Sequence, residues 1–117
     1  MDKIVFITGA SSGIGAGCAR KFASQGASLI LNARNVNKLS ALKEELEKQY
    51  GAKIYLLPFD VRDRKAATSA LESLPKEWQS IDILVNNAGL VIGTDKEQEG
   101  SLDEWDIVID TNIKALL

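Results

Sequence analysis

Residues 8–15, Thr8-Gly9-Ala10-Ser11-Ser12-Gly13-Ile14-Gly15, gather three glycines and two serines whose types and spacing suit the cradling of phosphate oxygens. Gly9 can make a tight turn, Gly13 lets backbone approach an anion, and Gly15 permits close packing of a helix on a strand. Ser11 and Ser12 add hydroxyl donors. The spacing G-x-x-x-G-x-G is not the G-x-G-x-x-G fingerprint of dinucleotide sites. Nor does a lysine follow the last glycine, as it does in a G-x-x-x-x-G-K phosphate loop. A turn that binds nothing is the competing reading; three glycines and two serines at one junction weigh against it. Other chemistries are excluded by composition. One cysteine, Cys18, and no histidine leave no ordinary zinc site and no Cys/His or Ser/His nucleophile. The acids Asp103, Glu104, Asp106 and Asp110 read as a solvated helix face, and no metal site is expected.

A phosphate-binding turn needs a strand before it and a helix after it, so that unpaired N–H groups and the positive end of the helix dipole meet the anion. The pattern supplies both. Ile4 to Ile7 is a short apolar run that reads as a strand buried on both faces. Ile14, Cys18, Ala19 and Phe22 recur at helical spacing, with Gly26 as the stop. Ser28 to Leu31 is a second strand. Leu39, Leu42, Leu46 and Tyr50 line a second helix that Gly51 closes. Lys53 to Leu57 is a third strand. Asp63 caps a third helix carrying Ala66, Ala67, Ala70, Leu71 and Leu74, with Pro75 beyond it. Ile81 to Val85 is a fourth strand, running into Asn86-Asn87-Ala88-Gly89. Residues 93–100 read as a polar loop, and Ser101-Leu102-Asp103-Glu104 fits a capping box opening a helix with Trp105, Val108 and Ile109. Alternation of this kind predicts an α/β fold of the Rossmann type, a doubly wound parallel sheet in strand order 3-2-1-4, as one cofactor-binding domain over residues 1–117.

T-G-x-x-x-G-I-G after the first strand, paired with N-N-A-G after the fourth, resembles the short-chain dehydrogenase/reductase family over the whole of these 117 residues. The run from Leu74-Pro75-Lys76-Glu77-Trp78 into Ile81-Asp82-Ile83-Leu84-Val85-Asn86-Asn87-Ala88-Gly89-Leu90 is similar to bacterial NADP-dependent 3-hydroxy acid dehydrogenases, which act on serine and allo-threonine. The resemblance implies cofactor contacts by Gly9, Ser11, Ser12, Gly13, Ile14 and Gly15. It further implies that Asp60 accepts from the adenine amino group, that the Val61 backbone meets the ring, and that Asn86, Ala88 and Gly89 shape the floor of the site. Asn112, within Asp110-Thr111-Asn112-Ile113, matches the family's asparagine that supports a proton relay. After the second strand, Asn32-Ala33-Arg34-Asn35 has no acid, whereas an NAD site wants a carboxylate for the ribose hydroxyls. Arg34, with Asn35 beside it, can instead pair with a 2′-phosphate and lay its guanidinium on adenine, so NADP is the cofactor expected.

The family's remaining groups are a serine and a Y-x-x-x-K pair. Tyr50 and Tyr55 are the only tyrosines and neither has that spacing, so the 117 residues are expected to hold cofactor weakly and to be inactive alone. Two further readings stand beside this one: a non-catalytic dinucleotide-binding module, and a chain that pairs with a separate C-terminal half. With a net charge of −2 and scattered basic residues, neither nucleic acid nor an anionic membrane is an expected partner. A small-molecule substrate is expected for the intact enzyme. A lone cysteine, no leader and no apolar stretch long enough to span a bilayer point to the cytoplasm. With no fifth parallel strand, Ile83-Leu84-Val85 is expected to form an open edge; self-association through that edge and the terminal helix is the expectation, the alternative being that the last segment is disordered or refolds across the edge.

Overall fold

The computed structural model describes residues 2–87 and the backbone of residues 106–109. In chain order the elements are β1 (Ile4–Thr8), α1 (Gly13–Ser24), β2 (Ser28–Leu31), α2 (Val36–Tyr50), β3 (Ile54–Leu56), α3 (Arg64–Glu72), a 3-10 turn (Lys76–Trp78), β4 (Ile83–Asn86) and β5 (Asp106–Ile109). The strands form one sheet in order β3-β2-β1-β4-β5. β1 pairs in parallel with β2 and with β4, and β2 with β3, so the expected order 3-2-1-4 is present.

Side chains on a strand alternate between faces, and here each face meets an apolar layer. Val5 and Ile7, Leu29 and Leu31, and Ile83 and Val85 pack on one side with Ala19 and Ala23 of α1 and Leu39, Leu42 and Leu46 of α2. Phe6, Ile30 and Leu84 pack on the other with Ala67 and Leu71 of α3 and with Leu74, Trp78 and Ile81. Coverage on both faces explains why these strands read as continuous apolar runs. Leu29, Leu31, Leu39 and Leu46 are fully buried, each such side chain contributing about 1.5–3 kcal/mol by its removal from water. Trp78 is a packing anchor, with the Tyr55 ring 5.7 Å away and Lys53 Nζ 5.3 Å from its centroid.

The three helices start alike. Ser12, Asn35 and Asp63 each cap with a side-chain oxygen that accepts the third helical N–H, from Gly15, Lys38 and Ala66 in turn, each at 3.1 Å. A cap of this kind is worth about 1 kcal/mol. α2 ends at Gly51, whose φ of 63° lies in the left-handed region that a glycine adopts at least cost. α3 stops at Glu72, short of Leu74, which is buried beyond the helix end.

Two expectations fail at the far edge of the sheet. Residues 106–109 are not helical: β5 lies antiparallel on β4, with Ile83 opposite Ile109 and Asn86 opposite Asp106. The edge expected to be open on β4 is therefore taken by the chain itself, and the helix expected to share in self-association is absent at Val108 and Ile109. The physical cause is that a strand end with unmet N–H and C=O groups outweighs a capping-box preference, and Ile107-Val108-Ile109 is a β-branched run suited to pair with it. Ser101, Trp105 and the loop at 93–100 lie outside the described residues.

Candidate functional site

β1, β2 and β3 are parallel, so their carboxyl ends gather on one edge of the sheet, where the chain turns into α1, α2 and α3. Gly9, with φ of 60°, makes the first turn. Ser12 folds it further: its hydroxyl donates to Gly9 O at 2.9 Å while accepting from Gly15 N. Asn87 reaches over from the end of β4, its amide donating to Gly9 O at 2.9 Å and to Ser12 Oγ at 2.7 Å. Gly15 lies beneath; a Cβ there would sit 2.2 Å from Gly9 O and 2.9 Å from Asn87 Nδ2. At Gly13, by contrast, a Cβ would meet nothing within 4 Å. Ser12 occupies the Gly15 N–H and its carbonyl takes that of Ala16. The N–H groups of Gly13 and Ile14 remain at the helix start without an intrahelical acceptor, beside that open space.

The second strand end is tied in by Asn32, which is buried. Its amide donates to Leu57 O and Phe59 O, each at 3.1 Å, and its Oδ1 accepts from Gly9 N at 3.4 Å. One side chain thus fixes the glycine turn against the segment that carries Asp60. Above these ends is a cavity of about 480 Å³ whose wall includes Gly9, Ser11, Ser12, Arg34, Lys38, Asp60, Val61 and Arg62. A second recess of about 480 Å³, lined by Ser11, Arg34, Asn35 and Lys38, continues from it.

Charge is distributed unevenly around this space. Asp60 is the one acid among the described residues on the wall. Its Oδ1 accepts from Arg62 Nε at 3.1 Å and from Arg62 N at 2.9 Å, and its Oδ2 from Arg62 Nη2 at 2.9 Å. Arg34 Nη1 stands farther off, 3.9 Å from Oδ2. The Arg62 guanidinium, and after it the Arg62 backbone N–H, holds the Asp60 carboxyl down to about 2 from its ordinary 3.8. Among the described residues, the recess of Arg34, Asn35, Lys38 and Ser11 contains no acid.

Of the residues singled out from sequence, Gly9, Ser11, Ser12, Arg34, Asn35, Asp60 and Val61 come together on these walls. Gly13 and Ile14 open α1 beside them, Ile14 being exposed, and Gly15 supports the turn from below. Asn86 is fully buried, its Oδ1 accepting from Thr8 Oγ1 at 3.1 Å, which places it under the turn and not on the wall. Ala88, Gly89 and Asn112 lie outside the described residues. Sequence reasoning missed Lys38, Arg62 and the anchoring by Asn32 and Asn87. For Lys38 a signal existed: Asn35 caps α2, so Lys38 stands in a first helical turn that carries no acid, against the helix dipole. A cation there is unfavourable unless an anion joins it.

A parallel α/β sheet with a capped glycine turn at its carboxyl edge, next to a cationic recess, defines the class of nucleotide-holding doubly wound domains. The chain belongs to the short chain dehydrogenase family, whose model it matches over residues 3–117. It is 44% identical over 114 residues to the NADP-dependent 3-hydroxy acid dehydrogenase YdfG of Escherichia coli K12, a match covering 97% of this chain and 44% of the relative. It is also 44% identical over 117 residues to sulfoacetaldehyde reductase 2 of Chromohalobacter salexigens, covering all of this chain and 46% of that one. The crystal structure of serine dehydrogenase from E. coli superposes with a TM-score of 0.67 at 47% identity, covering 77% of this chain and 40% of the other. The chain thus spans less than half the length of these relatives.

Proposed function

We propose that this chain is the cofactor-holding part of an NADP-dependent oxidoreductase that moves hydride between NADP(H) and a small hydroxy acid or its keto partner, with serine and allo-threonine as the 3-hydroxy acids to try first. The observation that carries the cofactor choice is the convergence of Arg34 and Lys38 on one recess with Ser11 and Asn35 and, among the described residues, no acid. A 2′-phosphate finds two cations and polar donors there, whereas a ribose lacking that phosphate finds no carboxylate among the described residues of the recess, Asp60 being held by Arg62 on the adjoining wall.

The other parts of the site fit the same cofactor. The N–H groups of Gly13 and Ile14, which lack an intrahelical acceptor, the open space over Gly13 and the positive end of α1 suit a pyrophosphate. Asp60 and Val61 line the same cavity, and the adenine is assigned to them on family resemblance. When bound, the nicotinamide supplies or accepts the hydride. Ala88 and Gly89 are assigned to the floor of the site and Asn112 to support of the proton relay, on family resemblance. The names of the relatives support the substrate class: a 3-hydroxy acid, serine and sulfoacetaldehyde all combine a small carbon skeleton with an anionic group. No Y-x-x-x-K pair is present in the 117 residues; Tyr50 ends α2, and Tyr55 lies in β3 against Trp78. We therefore assign this stretch to binding and not to turnover by itself.

Calorimetric titration of the chain with NADP⁺ and with NAD⁺ tests the reading. NADP⁺ is expected to bind at least about tenfold more tightly, a difference of about 1.4 kcal/mol, and Arg34→Asp is expected to reverse the order. Equal affinity for the two dinucleotides in the unmodified chain would overturn it.

A further inference from the structure

We propose that Arg62 is a specificity-determining residue that acts through Asp60: by holding the Asp60 carboxylate in a fork, it keeps Arg34 free for a phosphate. The inference rests on the NADP reading above and adds to it a residue that makes no phosphate contact of its own.

The geometry is a contest between two guanidinium groups for one carboxylate. Arg62 takes both oxygens, Nε to Oδ1 at 3.1 Å and Nη2 to Oδ2 at 2.9 Å, and adds its backbone N–H at 2.9 Å. Arg34 is left at 3.9 Å from Oδ2, beyond hydrogen-bond range. The depression of the Asp60 carboxyl follows the same ranking, Arg62 first and Arg34 last among its causes. With Arg62 gone, the nearest cation to an unpartnered Asp60 is Arg34. A bidentate Arg34–Asp60 pair would then form at the wall of the recess, and a 2′-phosphate would have to displace it. The bare carboxylate would also repel the phosphate directly. Each effect acts on the nucleotide that carries the extra phosphate and leaves one without it nearly untouched.

Stability is a poor explanation for the pair. Both arginines are more than two-thirds exposed, and exposed ion pairs contribute little to folding. A structural role would therefore appear in the melting temperature, and a specificity role in the ratio of nucleotide affinities.

The experiment measures Kd for NADP⁺ and NAD⁺, with thermal melts, on the unmodified chain and on Arg62→Gln, Asp60→Asn/Arg62→Gln and Arg34→Gln. Asparagine at position 60 keeps an oxygen acceptor but carries no charge to capture Arg34. For Arg62→Gln the expected result is an NADP⁺ affinity weaker by about tenfold, an NAD⁺ affinity within about twofold, and an unchanged melt. The double variant is expected to regain the preference for NADP⁺ to within about twofold. Equal losses for both nucleotides, or no recovery in the double variant, would overturn the role of Arg62. A preference abolished by Arg34→Gln but untouched by Arg62→Gln leaves the cofactor reading standing and removes this inference alone. Absence of any preference in the unmodified chain removes both.

Discussion

Gly13 and Gly15 stand two residues apart in one motif and answer to different constraints. A methyl group at Gly15 would collide with the turn itself, 2.2 Å from Gly9 O, so that glycine is required by the fold. A methyl group at Gly13 would enter open space, and Gly13 is not among the described glycines with positive φ. Gly13→Ala is therefore expected to leave stability unchanged or raise it by up to about 1 kcal/mol. It should nevertheless weaken NADP⁺ binding by about tenfold, by filling the place a phosphate needs. Melting and calorimetry on the same sample decide the point; destabilisation with unaltered binding would refute the assignment of that space to a ligand. Asp60 offers a second test at this scale. Its carboxyl is lowered from 3.8 to about 2, so the contribution of its contact with Arg62 is present above about pH 4 and is lost as pH falls toward 2. The carboxyl carbon followed by NMR is expected to titrate near pH 2, to stay below 3.8 in Arg62→Gln, where Arg34 takes the carboxylate, and to move back toward 3.8 only when Arg34→Gln is added. A midpoint near 4 in the unmodified chain would show the fork to be absent in solution. The glycines, the serines, Arg34 and Asp60 were legible because each belongs to a linear pattern. Arg62 was not, because its importance lies in which of two arginines Asp60 chooses, and spacing alone does not say.

At the scale of elements, what could be read were the places where a local cap and an apolar period agree. Gly51 closes α2 and Asp63 opens α3, because each residue satisfies backbone groups that the helix cannot satisfy itself, whereas the cap at Asn35 was not read. β2 needed no adjustment. β4 begins two residues later than its apolar run, since Asp82 Oδ2 takes the N–H of Ile4 at 2.9 Å and ends the ladder there. That contact joins residues 78 apart in sequence and leaves no local trace. The 3-10 turn at Lys76–Trp78 was likewise hidden; it follows from seating Trp78 under the sheet. α1 carries a feature that its caps do not explain. Gly17 is exposed in the helix interior and a Cβ there would meet nothing within 4 Å. Gly17→Ala is expected to stabilise the chain by about 1 kcal/mol, the propensity difference between the two residues in a helix, with NADP⁺ binding unaltered. Chemical denaturation measures the first and calorimetry the second, and the pair serves as the control for Gly13→Ala on the same helix. A loss of stability would mean that the Gly17 face packs on something outside the described residues.

For the molecule as a whole, the sheet has a parallel body and one antiparallel edge, and the edge is where expectation and structure part. β1 to β4 have partners dictated by their own pattern, whereas residues 106–109 combine a helix-opening signal before them with a β-branched run within them. In the structure the run pairs with β4, Leu84 opposite Val108 and Val85 opposite Ile107. An edge strand that supplies N–H and C=O groups to β4 removes β4 as a template for other chains and leaves β5, four residues long, as the outer edge, and so short an edge is a poor template. Hydrogen exchange is expected to show slow amides in Ile83–Asn86 and at the alternate positions of Asp106–Ile109 that face β4, and sedimentation is expected to show no growth with concentration. Proline substitution separates the two effects. Along an antiparallel strand, successive N–H groups point alternately toward and away from a given neighbour. Of Ile107→Pro and Val108→Pro, one therefore deletes a ladder bond to β4 and the other does not. The variant that deletes it should expose alternate β4 amides to exchange and should associate as concentration rises, while its companion does so less. If both variants stay monomeric with β4 protected, β5 is not what covers that edge in solution; if the unmodified chain already associates with fast amides at 106–109, the edge is open after all.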